Sequence, residues 1–225
     1  LYVFRCLVND QIPLNEGCLK PLNIIIPKKT MISPEYPAAV IAGNVETSQY
    51  LVDTLFAALG VMAASQGTMN NTFWGNEQYQ YYETVCGGSG ATKKHNGVSA
   101  VHTHMTNSRL TDPEILEWRF PVLLEEFSIR KGSGGKGAHT GGDGVVRRVK
   151  FLEDMEMSIL SGHHRVPPYG MANGASGTVG RCWIQRNDNT IEILGSTASA
   201  VLHPGDRLTV ETPGGGGYGK INETL

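Results

Sequence analysis

Hydrophobic positions change their period about halfway along the chain. In the first half, Leu51, Val52, Leu55, Phe56 and Leu59 recur at three- and four-residue steps, ahead of Gly60 and behind Thr47 or Ser48, either of which can cap. This spacing predicts the one substantial helix, near residues 47–59. A second, shorter helix is predicted from Thr111-Asp112-Pro113-Glu114, with Pro at its first position and Glu114 placed to close a capping box on Thr111; Pro121 stops it.

Alternation with period two dominates from residue 122 onward. It predicts strands over 122–130, 145–151, 155–160, 181–186, 190–194 and 207–211, with a hairpin turn through Asn187-Asp188-Asn189. At the other end of the chain, Tyr2, Phe4 and Cys6 read as one face of a strand. Leu22 to Ile26 reads as a short apolar run closed by Pro27. The fold class expected is α+β: one main helix in the N-terminal half and a β-rich C-terminal half shaped as a sandwich or barrel. The segments are 1–120, mixed and loop-rich, and 121–225, β-rich, packed as one unit.

Composition narrows the partners. Of 225 residues 40% are hydrophobic, enough for a real core, and 19 Lys and Arg nearly balance 21 Asp and Glu. No global field draws in nucleic acid or an anionic membrane. No run approaches the ~18 apolar residues of a membrane span, and Leu1 to Asp10 lacks the order of a signal peptide. The expected location is the cytoplasm. Cys6, Cys18, Cys86 and Cys182 contain no CxxC pair and are expected to be buried free thiols. The start without Met suggests a piece of something larger.

The 28 glycines imply many tight turns and close backbone approaches. Gly132-Ser133-Gly134-Gly135-Lys136-Gly137 has GxGxxG spacing, yet β-branched sequence follows where a dinucleotide site needs a helix. Gly214 to Gly217 lacks the Lys-Ser or Lys-Thr of a P-loop. Neither GxSxG nor HExxH occurs.

Candidate chemistry centres on Val101-His102-Thr103-His104-Met105-Thr106-Asn107. On a strand, His102 and His104 would face one side and could share a substrate or a metal; the same spacing suits a structural pair. Glu83, Asp112 and Glu46 are possible partners. Asn70, Asn71, Thr106 and Asn107 could aim amides and hydroxyls at a polar substrate, or cap turns. Both imidazoles are expected to face a polar cleft shared with Asn70, Asn71 or Glu83. His163 and His164, being adjacent, are treated as separate residues.

Several blocks, in order, resemble the hydantoinase B/oxoprolinase family: residues 12–18 (IPLNEGC), 43–49 (GNVETSQ), 64–71 (ASQGTMNN), 81–84 (YYET), 101–107, 111–114 (TDPE), 133–135 (SGG), 141–144 (GGDG) and 212–219 (TPGGGGYG). The resemblance covers nearly the whole chain. It implies an ATP-dependent amidohydrolase in which a hydantoinase A type part phosphorylates the oxygen of a small cyclic amide and the B type part helps water open the ring. On that reading the catalytic candidates are His102, His104 and Glu83, and the substrate-binding candidates Asn70, Asn71, Thr106 and Asn107.

ATP and a divalent metal belong to the complete enzyme, with none expected on this chain and no metal ligand assigned. The implied partners are the A type subunit or fused domain, the earlier half of the B type chain, and further copies in an oligomer. Residues 130–135 and 111–117 look closer to oxoprolinases than to N-methylhydantoinases. The alternatives are a non-catalytic scaffold of the same enzyme and an acetone carboxylase alpha-like subunit. The chain alone is expected to be inactive.

Overall fold

The computed structural model describes residues 1–221 except Asp10, Leu14 and Ala42, so Leu14 of the first family-like block lies outside the described residues. Among the described residues, three α-helices, α1 (Tyr2–Leu7), α2 (Ser48–Ala58) and α3 (Pro113–Arg119), accompany nine strands. Strands β1 (Asn71–Gly75), β2 (Gln80–Thr84), β5 (Met155–Leu160) and β8 (Thr197–Leu202) form an antiparallel sheet in the order β2-β1-β5-β8. A second antiparallel sheet runs β3-β4-β9-β6-β7, from β3 (Val122–Arg130), β4 (Gly144–Phe151), β6 (Arg181–Gln185), β7 (Ile191–Leu194) and β9 (Arg207–Glu211).

Alternate residues of the two sheets share one core. Trp74, Met157, Ile159 and Leu202 come from the first sheet and Val149, Phe151, Ile184, Leu208 and Val210 from the second, all nearly solvent-free. Trp74 meets Phe151 edge-on, with ring centroids 5.6 Å apart. Each such side chain, fully buried, contributes about 1.5–3 kcal/mol of transfer free energy. The expected β-rich sandwich is therefore present. Its first sheet pairs β1, from the N-terminal half, with β5 from the C-terminal half.

Helix α3 is capped by Asp112, whose carboxylate accepts the Glu114 N–H at 3.0 Å, rather than by the expected box on Thr111. The Thr111 hydroxyl instead accepts a bond from Tyr81. The N-terminal segment forms helix α1 rather than a strand and anchors through Val3 against Val52 and Phe56. The run Leu22 to Ile26 forms no strand; Ile24, Ile25 and Ile26 are exposed. Cys86 and Cys182 are buried free thiols, whereas Cys6 is exposed.

The glycine-rich segments converge on one another. Gly214 to Gly217 runs between Ser133–Lys136, Ser89–Gly90 and Tyr169–Gly170, so close that a Cβ on Gly215 would sit 2.0 Å from the Ser89 carbonyl oxygen. Its amides bond outward: Gly215 N–H to Gly142 O, Gly216 N–H to Ala64 O and Gly217 N–H to Ala175 O, at 2.8–2.9 Å. This packed glycine core pins the loop that begins at Ala63.

Candidate functional site

Helix α2 turns the wrong face inward for a simple amphipathic reading. Val52 and Phe56 are buried, but Leu51, Leu55 and Leu59 are exposed, and the inner stripe is completed by Glu46, Gln49 and Asp53. Steps of three and four residues put these three polar groups in line. A π-helical turn over Gly43–Thr47 replaces the expected side-chain cap and swings Glu46 inward. The loop Ser65–Asn71 and the segment Thr103–Thr106 supply its partners.

Glu46 Oε1 accepts from the Thr68 hydroxyl at 2.9 Å, the Met69 N–H at 3.0 Å and Asn71 Nδ2 at 2.8 Å. Its other oxygen is buried with no partner among the described residues. Burial pushes this carboxyl up to about 7, against the pull of its three donors. Gln49 Nε2 donates to the Thr103 carbonyl and, at 2.7 Å, to the Thr106 hydroxyl.

Asp53 Oδ1 accepts the Ser65 N–H at 3.1 Å and meets His104 Nε2 at 2.9 Å, both side chains about 5% exposed or less. A proton on Nε2 shared with the carboxylate leaves His104 Nδ1 directed at the Tyr2 hydroxyl, 3.5 Å away. On the other side of the same loop, Gly67 holds φ +66 beneath the His163 ring. A Cβ there would lie 2.3 Å from His163 Nε2, so glycine is required both for backbone and for space.

His102 and His104 are not on a strand. Val101 makes a single bridge to Gly87, and His104 adopts φ +48, which breaks the alternation that would aim the two rings alike. They nevertheless line one cavity of about 300 Å³, together with Tyr2, Cys6, Phe56, Met62 and Val98. Asn70, Asn71 and Glu83 are not in its walls, and most of its lining is apolar. His102 Nδ1 is buried without a partner among the described residues; burial lowers this imidazole's pKa and the Glu83 charge opposes the shift.

The other expected site residues are engaged elsewhere. Glu83 forms a buried, two-pronged ion pair with Arg147, at 2.7 and 2.8 Å, and accepts the Tyr81 hydroxyl. Asn70, at φ +45, donates to Gln66 Oε1 and the Val85 carbonyl. Asn71 donates to Glu46 and the Leu160 carbonyl and accepts from the Tyr82 hydroxyl. Thr106 accepts from Gln49, and Asn107 is exposed.

Comparison with known proteins gives this arrangement its context. The family model for hydantoinase B/oxoprolinase matches residues 1–221. The chain belongs to that family. This hydantoinase B/oxoprolinase chain is 44% identical to a 5-oxoprolinase of Dictyostelium discoideum over its full length, and 46% identical to 5-oxoprolinase 1 of Arabidopsis thaliana over 97% of it. It spans only 18% and 17% of those proteins. Its fold matches the ATP-dependent caprolactamase of Pseudomonas jessenii with a TM-score of 0.81 and 23% identity, covering 97% of this chain and 42% of that one.

The usual donor sets for the groups that the family implies are not assembled among the described residues. Among the described residues, no three His, Cys, Asp or Glu side chains converge as a metal requires. The Gly214–Gly217 amides, which a nucleotide phosphate would need, are all bonded to backbone carbonyls. No helix of the described residues is long and apolar enough to cross a membrane.

Sequence reasoning named Glu46 only as a partner and missed Gln49 and Asp53. The signal for them was present: polar residues at 46, 49 and 53 share the helical period of the apolar ones.

Proposed function

We propose that this chain is the part of a 5-oxoprolinase type, ATP-dependent cyclic amidohydrolase that handles protons while water opens the ring. An amide carbonyl resists water, and phosphorylating its oxygen creates a leaving group and lowers the barrier. The nucleotide-using part lies outside these residues.

The observation that carries the proposal is the Asp53–His104 pair, whose imidazole lines a cavity of about 300 Å³. Asp53 fixes the imidazole tautomer and stabilises the imidazolium, so His104 Nδ1 is the base that takes a proton from the attacking water. His102, kept uncharged by burial, is the second imidazole of that cavity and donates to the developing oxyanion or the departing nitrogen. Glu83 acts through its charge behind His102, and Asn70, Asn71 and Thr106 hold the loop and α2 in register.

The 44–46% identities to proteins named 5-oxoprolinases support this reading over an acetone carboxylase alpha-like one. In that enzyme the partners would be a hydantoinase A type part, fused or separate, and the earlier half of the B type chain.

The test is His102→Ala and His104→Ala in the complete enzyme, with turnover and melting temperature read together. Loss of general acid-base help costs ~100-fold to 10,000-fold in rate. Near-normal turnover in both, or loss only through unfolding, would make the chain a scaffold.

A further inference from the structure

A second pocket, of about 400 Å³, opens between α2 and the turn after β5. Its polar walls are Tyr50, Ser161, His163, His164, Arg165 and Ser196, with no acidic side chain among them. We infer that this pocket binds a small oxyanion, a phosphoryl or carboxylate group, through Arg165, His164 and the Tyr50 hydroxyl.

The hydrogen bonds leave a set of donors unused. Tyr50 Oη accepts the His163 N–H at 3.3 Å and has no acceptor for its own proton among the described residues. Burial raises the phenol's pKa, so that proton stays in place. The Arg165 guanidinium has no hydrogen bond or ion pair among the described residues, while most other arginines of the sandwich are matched to a carboxylate. His164 Nε2 accepts the Ser161 hydroxyl at 2.9 Å in the tautomer that leaves an Nδ1–H free to donate, and burial, which lowers the ring's pKa, keeps it uncharged.

The pocket is held in shape by strain and stacking. His163 adopts φ +52, with its ring stacked on Tyr50 at 5.0 Å and its Nδ1–H donated to the Val166 carbonyl at 2.6 Å. A non-glycine residue kept in the left-handed region is strained, and the surrounding contacts must offset that cost. Gly162 lets the wall approach Tyr50, since a Cβ there would lie 2.3 Å from the hydroxyl.

The chemistry favours an anion over a neutral ligand. A planar guanidinium matches the paired oxygens of carboxylate or phosphate, and its bonds to them are roughly twice as strong as neutral ones. The charges behind the walls are Glu46, beyond Gly162, whose carboxyl holds its proton to about pH 7, and Asp53, already engaged by His104. Arg181 borders the adjoining groove that His164 and Arg165 also line.

The experiment is titration calorimetry on the complete enzyme with three probes: inorganic phosphate, 5-oxoproline, and 2-pyrrolidinone, the same lactam ring without its carboxylate. Wild type is compared with Arg165→Gln and His164→Gln. Arg165→Gln should weaken one of the two anions by about ten-fold or more, the loss expected when one charge-assisted contact is removed.

Weakening of phosphate alone makes the pocket a phosphoryl site. Weakening of 5-oxoproline with 2-pyrrolidinone unchanged makes it a carboxylate site. Unchanged binding of both anions, or equal loss of the neutral lactam, overturns the inference. The readout is binding and not turnover, so this inference and the proton-transfer reading can fail separately.

Discussion

Asp53 and His104 meet at 2.9 Å with both side chains nearly solvent-free, and the imidazole's other nitrogen faces the hydroxyl of Tyr2, which lines the same cavity, at 3.5 Å. Replacing Asp53 by Asn preserves the shape and an acceptor for the Ser65 amide but removes the charge that supports an imidazolium. The expected result in the complete enzyme is a fall in kcat of about 100-fold or more with a much smaller change in melting temperature. A kcat within a few-fold of wild type would deny His104 the role of base.

The Glu83–Arg147 pair behaves differently under substitution. With both partners about 5% exposed or less, Arg147→Met strands a buried carboxylate and should cost about 3–5 kcal/mol by urea denaturation. Glu83→Gln combined with Arg147→Met should recover most of that loss, because no uncompensated charge is left. Equal instability of the single and double variants would point to packing rather than charge.

Glu46 makes stability depend on pH. Its folded pKa, about 7, lies above the usual 4.5, so the folded state holds an extra proton between those values. Stability from this group is greatest below pH ~4.5 and is lost as pH rises through 7. Glu46→Gln should therefore flatten the decline in melting temperature between pH 5 and 8 relative to wild type. Parallel curves for the two proteins would show that Glu46 is ionised throughout.

Glycine substitutions should divide sharply by position. A Cβ on Gly215 meets backbone atoms at 2.0–2.7 Å, whereas the nearest atom at Gly195 is 3.5 Å away. Gly215→Ala should cost more than about 3 kcal/mol or prevent folding, and Gly195→Ala should stay within about 1 kcal/mol. Comparable soluble yield and melting temperature for the two would mean that the glycine core yields easily.

Legibility followed the strength of the periodic signal. Strands β3, β4, β5, β6, β7 and β9 were readable because their inward residues are large and alternate, as in Met155, Met157 and Ile159. Strand β8 was not readable: Thr197-Ala198-Ser199-Ala200 alternates between small residues of similar polarity. Strands β1 and β2 were hidden in polar, aromatic sequence whose partners, β5 above all, lie far along the chain. Six residues at the N-terminus fit either period, and contact with α2 decided for a helix.

The site was half legible. Two histidines two residues apart suggested joint duty, and they do share a cavity, but the left-handed turn at His104 set their directions. Pairing His104 with Asp53 needed the fold itself, since nothing local links the two positions. The inward polar stripe of α2 was not legible because apolar periodicity marks the leucines as the buried face, and here the leucines face outward.

The hydrogen bond from Gly216 to Ala64, with Ala91 bonding back to Gly216, ties the site to chain made much later. During synthesis the loop carrying Ser65 to Asn71 emerges first and waits. Gly216, which bonds the residue just ahead of that loop, arrives only after both sheets have been translated. Assembly of the Asp53–His104 cavity should therefore be a late event of folding, and a nascent chain halted after β8 would carry every acid and base named above without holding them in working order.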